Sequence, residues 1–562
     1  MTPNLIRQAA VMLSNLLEFN SPADVKLSEF FRNNRDLGTK ERAFVAESVY
    51  GVLRRLRFLS AVTANDDNDP DDARKLVLAW MLRIQGMSIQ KIEGMLTEQQ
   101  IEWAHTIKAK STENLPLAVQ ADVRDWLWDK LAAQYGEKEA LTIARSMHES
   151  ASLDLRVNTI KATRDEVMAK FIAENTTGES NITNTPYSPI GLRMPLRLNI
   201  SRHVMFTEGQ IEVQDEGSQI LAHLVAPKRG MMVADFCAGA GGKTLAMGAL
   251  MRNTGRLYAF DVSEKRLHSL GQRLNRSGLS NLNAQSISSE NDPKLKRLNG
   301  KFDRVLVDAP CTGLGTLRRN PDLKWRQTPQ DLAELTEKQA RILARASKFT
   351  KAGGRLIYST CSLLSDENEQ IAEQFLATHP EFKLLNAAEI LSQQQINLDT
   401  GKYLKLLPHL HQTDGFFAAV FEKIDPAATE KNKAEKKAIP VAVAEAAELV
   451  ESVEEAVAEK VTAPKKATAP KKAKVAAEEA AAEALVTDVA EISEKPAKVK
   501  AAAKPKVAKV VKEKPIVEKV VKEKVVKEKV AKAPKVAATT EEAATTEKVA
   551  KPKAVKAKAV KE

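Results

Sequence analysis

Short apolar segments alternate with helix-like segments between residues 231 and 421, and this alternation restricts the possible fold more than any other feature. The apolar segments are MMVADF (231–236), RLYAFD (256–261), NAQSI (283–287), FDRVLVD (302–308), GRLIYST (354–360) and FFAAVF (416–421). Helical patterns lie between them, at residues 243–252, 263–277 and about 329–351. Parallel strands need crossover connections, usually helices that cover both faces of the sheet. The alternation therefore predicts an α/β domain over residues 226–425, built on a mostly parallel sheet.

The region before this domain has a different pattern. Residues 1–145 carry helical patterns, such as the amphipathic segment 39–59, which ends in a cluster of arginines. Periodicity alone favours an amphipathic helix with a charged face there over an element that docks on a phosphate backbone. Residues 146–225 combine a strand-like segment, LDLRVNTIKA, with a helical one that starts near Thr163. They are predicted to form an α+β connecting module.

The composition changes abruptly after the last predicted strand. The chain has no aromatic residue after Phe421, no glycine after Gly415 and no arginine after Arg355. Residues 426–562 hold 31 lysines against 22 acidic residues, whereas the whole chain has a net charge of +12. With no aromatic side chain to build a core, this segment is predicted to be a disordered, low-complexity, Lys/Ala-rich basic tail. Its charge favours an anionic partner, and the alternative is a solvated segment that only adds solubility.

The three cysteines, Cys237, Cys311 and Cys361, cannot all pair, which is typical of a reducing compartment. The first residues lack the apolar core and cleavage site of a secretion signal, and no run of 18 apolar residues occurs. We therefore expect a cytoplasmic protein without a membrane span. The absence of CxxC pairs and clustered histidines predicts no metal site. No feature demands an oligomer, so we expect a monomer.

The segment DFCAGAGGKT (235–244) follows a predicted strand and opens a helix, as in turns that bind a ligand at a helix N-terminus. A P-loop would need glycine where Cys237 stands, and a dinucleotide fingerprint would need glycine where Thr244 stands. The third class of ligand, S-adenosylmethionine, tolerates looser glycine spacing. The expected cofactor contacts in the turn are Cys237, Ala238, Gly239, Ala240, Gly241, Gly242 and Lys243.

Asp261 ends the next predicted strand, about 20 residues beyond the turn, where an acidic side chain can hold ribose hydroxyls. The alternative is that Asp261 only caps the helix that begins at VSEKR. Spacing does not decide between the two.

Two cysteines follow two apolar strands. DAPCTG (308–313) places Asp308 and Cys311, and STCS (359–362) places Cys361, at the carboxyl edge of the predicted sheet. A thiolate that attacks carbon 6 of cytosine makes carbon 5 nucleophilic, and an acidic group near ring nitrogen 3 assists. An isolated cysteine is more often a small buried apolar residue. Two cysteines at one edge, beside Asp308, favour chemistry, but their spacing does not indicate which one attacks.

These motifs resemble the NOL1/NOP2/Sun family of S-adenosylmethionine-dependent RNA cytosine-5 methyltransferases. The resemblance covers residues 1–425 and is closest to the bacterial 16S ribosomal RNA branch, which has a NusB-like RNA-binding domain in front. LGTKERAFVAESVYGVLRRL (37–56) is similar to that domain, while LRVNTIKATRDEV (155–167) and QDEGSQI (214–220) resemble the lead-in to the catalytic domain. DFCAGAGGKT, DAPCTGLG, STCS and DGFFAAVF (414–421) resemble the catalytic core. The resemblance implies a Rossmann-like catalytic domain.

The resemblance also implies roles. Cys361, in the Thr–Cys motif, would be the nucleophile, and Cys311, in the Pro–Cys motif, would assist turnover and product release. The Gly-rich turn and Asp261 would hold S-adenosylmethionine, and Asp308 would lie between the cofactor and the base. Ala240 stands where the family usually has proline, which removes a φ constraint but keeps both glycines. The family has an Asp after the third strand, next to adenine, whereas SISSENDP (286–293) places Ser288 or Ser289 there.

The substrate implied is RNA, most directly 16S ribosomal RNA. Arg318, Arg319, Lys324, Trp325 and Arg326, in TLRRNPDLKWR (316–326), are predicted to contact it, because cations hold phosphates and an aromatic ring can stack on a base. Two alternatives stay open: a transfer RNA cytosine-5 methyltransferase, and a noncatalytic RNA-binding factor of ribosome assembly on the same scaffold. A DNA enzyme is disfavoured, since DNA cytosine methyltransferases attack with the Pro–Cys cysteine.

Deleting residues 430–562 should weaken RNA binding mainly at low salt and leave the chemistry intact, because the tail adds nonspecific electrostatic affinity. Affinity for one RNA, measured for the full and the shortened chain across a salt series, tests this. An unchanged salt dependence after deletion would refute the role.

Overall fold

The computed structural model describes residues 2–63, 73–174, 182–194 and 199–426. The predicted disordered tail lies outside the described residues, apart from its first residue. Within the described part of the chain, no helix is long and apolar enough to cross a membrane.

Helices pack around one apolar core in the first 110 residues. They are α1 (Pro3–Leu17), α2 (Ala23–Asn33), α3 (Thr39–Arg54), α4 (Leu56–Thr63), α5 (Ala73–Ala79, continued by a π-helical turn over Trp80–Ile84), α6 (Ile89–Ile92) and α7 (Glu98–Ala109). Thr2 caps α1 by accepting from the Leu5 backbone N–H, and Pro3 occupies the first turn, where its missing N–H costs nothing. Ile6, Leu13 and Val49 are fully buried in the core, as the helical period predicts.

A second group of helices belongs to another core. It consists of α8 (Leu117–Gln120), α9 (Asp125–Tyr135) and α10 (Glu137–Ser146). Its apolar side chains pack against Leu314, Leu332 and Leu364 of the α/β domain and not against the core of α1–α7. The predicted domain 1–145 therefore contains helices that pack in two different cores. Periodicity in the sequence shows which face of a helix is apolar, but it does not show which core that face packs against.

The connecting region is a small α+β unit, as expected. Its elements are β1 (Leu153–Val157), α11 (Arg164–Glu174), β2 (Thr183–Asn184), β3 (Gly191–Met194), α12 (Val204–Thr207) and β4 (Ile211–Val213). The strands form an antiparallel sheet in the order β2-β3-β1-β4. Leu155, Val167 and Leu192 are fully buried in its core.

The remaining residues form the α/β domain. Its strands are β5 (Met232–Asp235), β6 (Arg256–Asp261), β7 (Leu282–Ser286), β8 (Phe302–Asp308), β9 (Thr350–Thr360), β10 (Phe382–Leu385), β11 (Leu404–Leu406) and β12 (Phe416–Lys423). Its helices are α13 (Glu216–Val225), α14 (Gly242–Leu250), α15 (Glu264–Ser277), α16 (Leu323–Arg326), α17 (Pro329–Ser347), α18 (Glu369–Thr378), α19 (Ala387–Gln393) and α20 (Pro408–His411).

The sheet has the order β10-β12-β9-β8-β5-β6-β7, with β11 paired to β12. Strands β5 to β9 run parallel, and β10, β11 and β12 are antiparallel to their partners. The chain passes from β5 outward through β6 and β7, then returns to the other side of β5 for β8 and β9. The strand order thus reverses between β5 and β8, and open α/β sheets bind ligands at the carboxyl ends of such strands.

Apolar side chains leave both faces of this sheet alternately. Val305 and Val307 point into one core, and Leu306 between them points into the other. All three are fully buried, as the period of two requires for a sheet covered on both faces. The α/β architecture predicted from the alternation is confirmed, and with it the Rossmann-like domain that the resemblance implied.

The loop over residues 316–326 differs from its prediction. Trp325 is buried in the core of α1–α7 and donates from Nε1 to the Leu53 carbonyl oxygen at 2.7 Å. Lys324 is buried beside it and donates to the Arg54 carbonyl oxygen at 2.8 Å. Arg319 forms ion pairs with Asp215 and Asp414.

The expected RNA contact is therefore wrong for Lys324, Trp325 and Arg319. Lys324 and Trp325 join the α/β domain to the helices α1–α7, whereas Arg319 ties residues of the α/β domain to one another. A buried indole ring whose N–H is already bonded is not available to stack on a base.

Replacing Trp325 with alanine should lower the free energy of unfolding by about 3–5 kcal/mol, because a large buried side chain leaves a cavity. Leu410→Ala is the control: Leu410 is 61% exposed, so the change should stay within about 0.5 kcal/mol. Urea unfolding of both variants measures this. If Trp325→Ala has unchanged stability but binds RNA more weakly, the original prediction that Trp325 contacts RNA would be correct.

Candidate functional site

The Gly-rich turn lies between β5 and α14, at the carboxyl edge of the sheet. Gly239 and Gly241 have φ values of 57° and 82°, a region that favours glycine. A Cβ atom on Gly241 would stand 2.1 Å from the Leu270 side chain, so a larger residue cannot fit there. Ala240 keeps a negative φ, so the missing proline leaves the turn intact.

Asp261, at the end of β6, braces this turn. Its Oδ2 atom accepts from the Gly239 N–H at 2.8 Å, and its Oδ1 atom accepts from the Ser263 N–H at 2.7 Å and pairs with Arg266 at 2.9 Å. The N-cap of α15 is Ser263, whose hydroxyl accepts from Arg266 N–H. Ser263, and not Asp261, is therefore the N-cap residue of α15, and Asp261 lines the cavity described below.

Lys243 and Asp308 form an ion pair at the centre of the edge. Lys243 Nζ lies 2.7 Å from Asp308 Oδ2, and the Ser359 hydroxyl donates to Asp308 Oδ1 at 3.1 Å. Burial alone would lower the pKa of Lys243, but Asp308, together with Cys361 and Asp235, raises it above its usual value. The ammonium is therefore a fixed positive charge beside Cys361.

The structure brings the two predicted cysteines together. Cys311 follows β8 and Cys361 follows β9, and their Sγ atoms are 3.4 Å apart without a disulfide. The two strand ends are joined by a bond from the Ala309 N–H to the Ser359 carbonyl oxygen at 2.8 Å. Both thiols line the same cavity as Asp308.

The surroundings of the two thiols differ in charge. The hydrogen bond to Cys361, then burial and the negative charges of Cys361 and Glu367, raise the pKa of Cys311 well above its usual value. Cys361 instead lies near Lys243 and contributes to the raised pKa of that ammonium. A nearby cation favours a thiolate and a nearby carboxylate disfavours it, which is the basis of the roles proposed below. The spacing of the two cysteines in the sequence left their roles open.

A cavity of about 430 Å³ joins these groups. Its wall includes the carboxylates of Asp235, Asp261 and Asp308 and the apolar side chains of Val262 and Ile287. Burial raises the pKa of Asp235 to about 7, and its Oδ1 atom has no hydrogen-bond partner among the described residues.

Carboxylates that face an apolar wall suit a ligand with an apolar ring system, hydroxyl groups and positive charge, and S-adenosylmethionine has all three. The cavity volume is in the range of small-molecule sites. The residues present fit this cofactor: the carboxylates of Asp261, Asp235 and Asp308 would hold its hydroxyl groups and its positive charge.

The remaining turn residues take different places. Cys237, Ala238, Gly239, Ala240, Gly242 and Lys243 line the cavity, and Gly241 forms the first bend of α14. Burial, with the nearby carboxylates, raises the pKa of Cys237, so this third cysteine is a neutral wall residue.

The expectation for Ser288 is corrected. Its hydroxyl donates to Asp292 Oδ2 at 3.2 Å, in a tight turn that also binds its backbone N–H, and the residue does not line the cavity. At this end of β7, Ile287 and Glu290 form the wall instead. Gln214, Arg273 and Lys338 also line it, and sequence reasoning singled out none of them individually. Gln214 opens the QDEGSQI segment, which was the available signal.

A parallel sheet whose order reverses beside a Gly-rich turn, with the cavity at its carboxyl edge, is the fold of the Rossmann-like methyltransferases. The protein is of this class and uses S-adenosylmethionine.

Comparison with known proteins narrows the class. The family model described as 16S rRNA methyltransferase RsmB/F matches residues 222–422, and a model of the RsmF/B-like ferredoxin-like domain matches residues 124–200. The chain is 32% identical over 446 residues to the probable ribosomal RNA small subunit methyltransferase B of Synechocystis, covering 74% of this chain and 98% of that protein. The chain belongs to the RsmB/F family of 16S rRNA methyltransferases.

Further relatives agree with this assignment. The probable ribosomal RNA small subunit methyltransferase B of Bacillus subtilis is 28% identical over 450 residues, covering 74% of this chain and 98% of that protein. The crystal structure of PH0851 superposes with a TM-score of 0.61 at 26% identity, covering 75% of this chain and 99% of that one. Each of these matches leaves about a quarter of this chain outside the shared region.

Replacing Glu290 with alanine should weaken binding of S-adenosylhomocysteine about tenfold, because a hydrogen bond to a charged group is worth about 1.5 kcal/mol or more. Ser288→Ala is the matched control and should change the affinity less than about twofold, since its hydroxyl is held by Asp292. Isothermal titration calorimetry on the two variants measures both. The opposite ranking would return the contact to Ser288.

Proposed function

We propose that this protein transfers a methyl group to carbon 5 of a cytosine in 16S ribosomal RNA, through a covalent bond between Cys361 and the pyrimidine ring. The observation that carries the proposal is the pair of thiols 3.4 Å apart at the edge of the cofactor cavity, with Lys243 on the side of Cys361. S-adenosylmethionine, when bound, supplies an electrophilic methyl group.

Cys361 would attack first. Carbon 5 of cytosine is a weak nucleophile, and a sulfur–carbon bond at carbon 6 moves electron density onto it. Lys243 favours the thiolate by its positive charge, and the end of strand β9 fixes the sulfur at the cavity wall. Asp308 accepts from Ser359 and Lys243, which holds its carboxylate toward the space where a ring nitrogen and amino group would lie.

Cys311 would act after the methyl transfer. Carbon 5 then carries a proton that must leave before the bond between carbon 6 and Cys361 can break. Water takes this proton, and Cys311, the neutral thiol next to Cys361, would assist release of the product by donating a hydrogen bond to the departing sulfur. The Cys361 sulfur then departs as the thiolate and regains the surroundings of the free enzyme.

The family supplies the proposed substrate. Relatives that match nearly end to end are named as small-subunit ribosomal RNA methyltransferases. The target cytosine must be unstacked to reach a cavity at the sheet edge. The N-terminal helices, which resemble NusB-like RNA-binding domains, and the basic tail are proposed to hold the surrounding RNA. A transfer RNA target and a noncatalytic assembly factor are the alternatives that the test below separates.

Replacing Cys361 with serine should lower methyl transfer by about a thousandfold or more, because the hydroxyl is a poor nucleophile here. Cys311→Ser should instead retain the covalent complex with RNA and slow its release. Denaturing gels with unmodified RNA detect the complex that Cys311→Ser retains, and gels with RNA that contains 5-fluorocytosine detect complex formation by every variant, since fluorine cannot leave as a proton does. Cys237→Ser is the matched control: it should alter cofactor affinity and leave the covalent complex intact.

Bisulfite sequencing of 16S and transfer RNA, with and without the gene, identifies the product and its position. Undiminished modification by Cys361→Ser would contradict the mechanism. A 5-methylcytosine lost from transfer RNA alone would contradict the substrate, and no lost 5-methylcytosine would favour the noncatalytic factor.

A further inference from the structure

A buried carboxylate lies behind the two cysteine loops. Glu367 follows β9 by seven residues and precedes α18, and its side chain is fully buried. It does not line the cofactor cavity. Its position in the chain gives no hint of a role, since an acidic residue at a helix start is usually a cap.

Glu367 is bonded to the loop that carries Cys311. Its Oε1 atom accepts from the Thr312 backbone N–H at 2.8 Å, and its Oε2 atom accepts from the Thr312 hydroxyl at 2.5 Å. Gln339, on α17, donates to Oε1 at 2.9 Å and to the Pro310 carbonyl oxygen at 3.0 Å. Thr312, on one side of Cys311, is therefore tied directly to Glu367, and Pro310, on the other side, is tied to it through Gln339.

The turn that carries Cys361 is held by the same segment. Asn368 donates to the Ser362 carbonyl oxygen at 3.1 Å, and the Thr360 hydroxyl bonds the Asn368 side chain. The Tyr358 hydroxyl donates to the Glu367 carbonyl oxygen at 2.5 Å. Consecutive residues, Glu367 and Asn368, thus fix the two cysteines against each other.

No cation neutralises this carboxylate. Its three donors are neutral groups, and no ion pair to Glu367 occurs within the described residues. Burying an unpaired charge is costly, and a protein that only needed to fix a loop could use an amide. The negative charge lies on the side of Cys311, whereas Lys243 places a positive charge on the side of Cys361.

We propose that Glu367 is a positioning residue that ties the Cys311 loop to the Cys361 turn and reserves the thiolate for Cys361 by placing a fixed negative charge behind Cys311. The inference rests on the proposed function for the roles of the two sulfurs, and it adds no bond-making step. The titratable groups that face Cys311 are Cys361, Glu367 and Tyr358, and Lys338 lines the same cavity from α17.

The test measures how readily Cys311 ionises. In the full chain carrying Cys361→Ser, alkylation of Cys311 by iodoacetamide is followed by peptide mass spectrometry across a pH series, without RNA or cofactor. Adding Glu367→Gln should move the midpoint to lower pH by about one unit or more, because a nearby negative charge no longer opposes the thiolate. The amide keeps the shape of the side chain, and thermal unfolding verifies the fold.

Glu369→Gln, in the same background, is the matched control. Glu369 pairs with Lys405 and carries the same charge two residues along, so its replacement should leave the midpoint unchanged. A midpoint that does not move in Glu367→Gln, or that moves equally in both variants, overturns the proposal.

A second variant decides the matter if Glu367→Gln does not fold. In the Cys311→Ser chain, the midpoint for alkylation of Cys361 should lie below that of Cys311 in the Cys361→Ser chain, and an equal or higher midpoint contradicts the proposal. Because the assay contains no RNA, its result is independent of which base is methylated. Failure of the covalent-complex test with a shifted midpoint would remove the proposed function alone.

Discussion

The site depends on the parallel pairing of β8 with β9. In this register Asp308 lies opposite Ser359, so the residues that follow each strand leave the sheet at the same point. The hydrogen bond from the Ala309 N–H to the Ser359 carbonyl oxygen extends the pairing one residue beyond β8. A second hydrogen bond, from the Gly315 N–H to the Cys361 carbonyl oxygen, joins the segments that follow the two strands. A shift of one residue would turn one of these side chains to the opposite face. The distance between the two sulfurs is thus a consequence of sheet register.

The backbone places the two sulfur atoms in similar positions, each after the end of a parallel strand, and the nearby charges distinguish them. Lys243 reaches the edge from the first turn of α14, where its ammonium meets Asp308. Without Asp308, burial would favour the neutral amine, so the carboxylate keeps Lys243 in its charged form. In the proposed mechanism Asp308 therefore has two roles, since it also faces the space proposed for the pyrimidine ring.

The sequence predicted the parts of this site that follow from local pattern. Strand ends, the Gly-rich turn and Asp261 obey short-range rules, and Cys311, Cys361 and Asp308 lie at the edge because parallel strands share a direction. The failures have another origin. Trp325 and Lys324 were predicted to lie at the surface, because a contact between two domains produces no periodic pattern in the sequence. Ser288 was predicted to contact the cofactor, but its hydroxyl donates to Asp292, four residues away, in a local turn.

The same loop shows that the helical domain is more than an attachment. Residues 315–325 begin at the bond to the Cys361 turn and end inside the core of α1–α7. Burial lowers the pKa of Lys324 to about 8, and its ammonium is satisfied by a carbonyl oxygen at the end of α3. Without that helix, the ammonium and the indole N–H of Trp325 would both lose their hydrogen-bond partners. Leaving buried donors unsatisfied costs free energy, which favours a conformation in which the loop is exposed to solvent. Because the loop starts at the cysteine pair, the folded helices help to hold the geometry of the site, and the two domains behave as one structural unit.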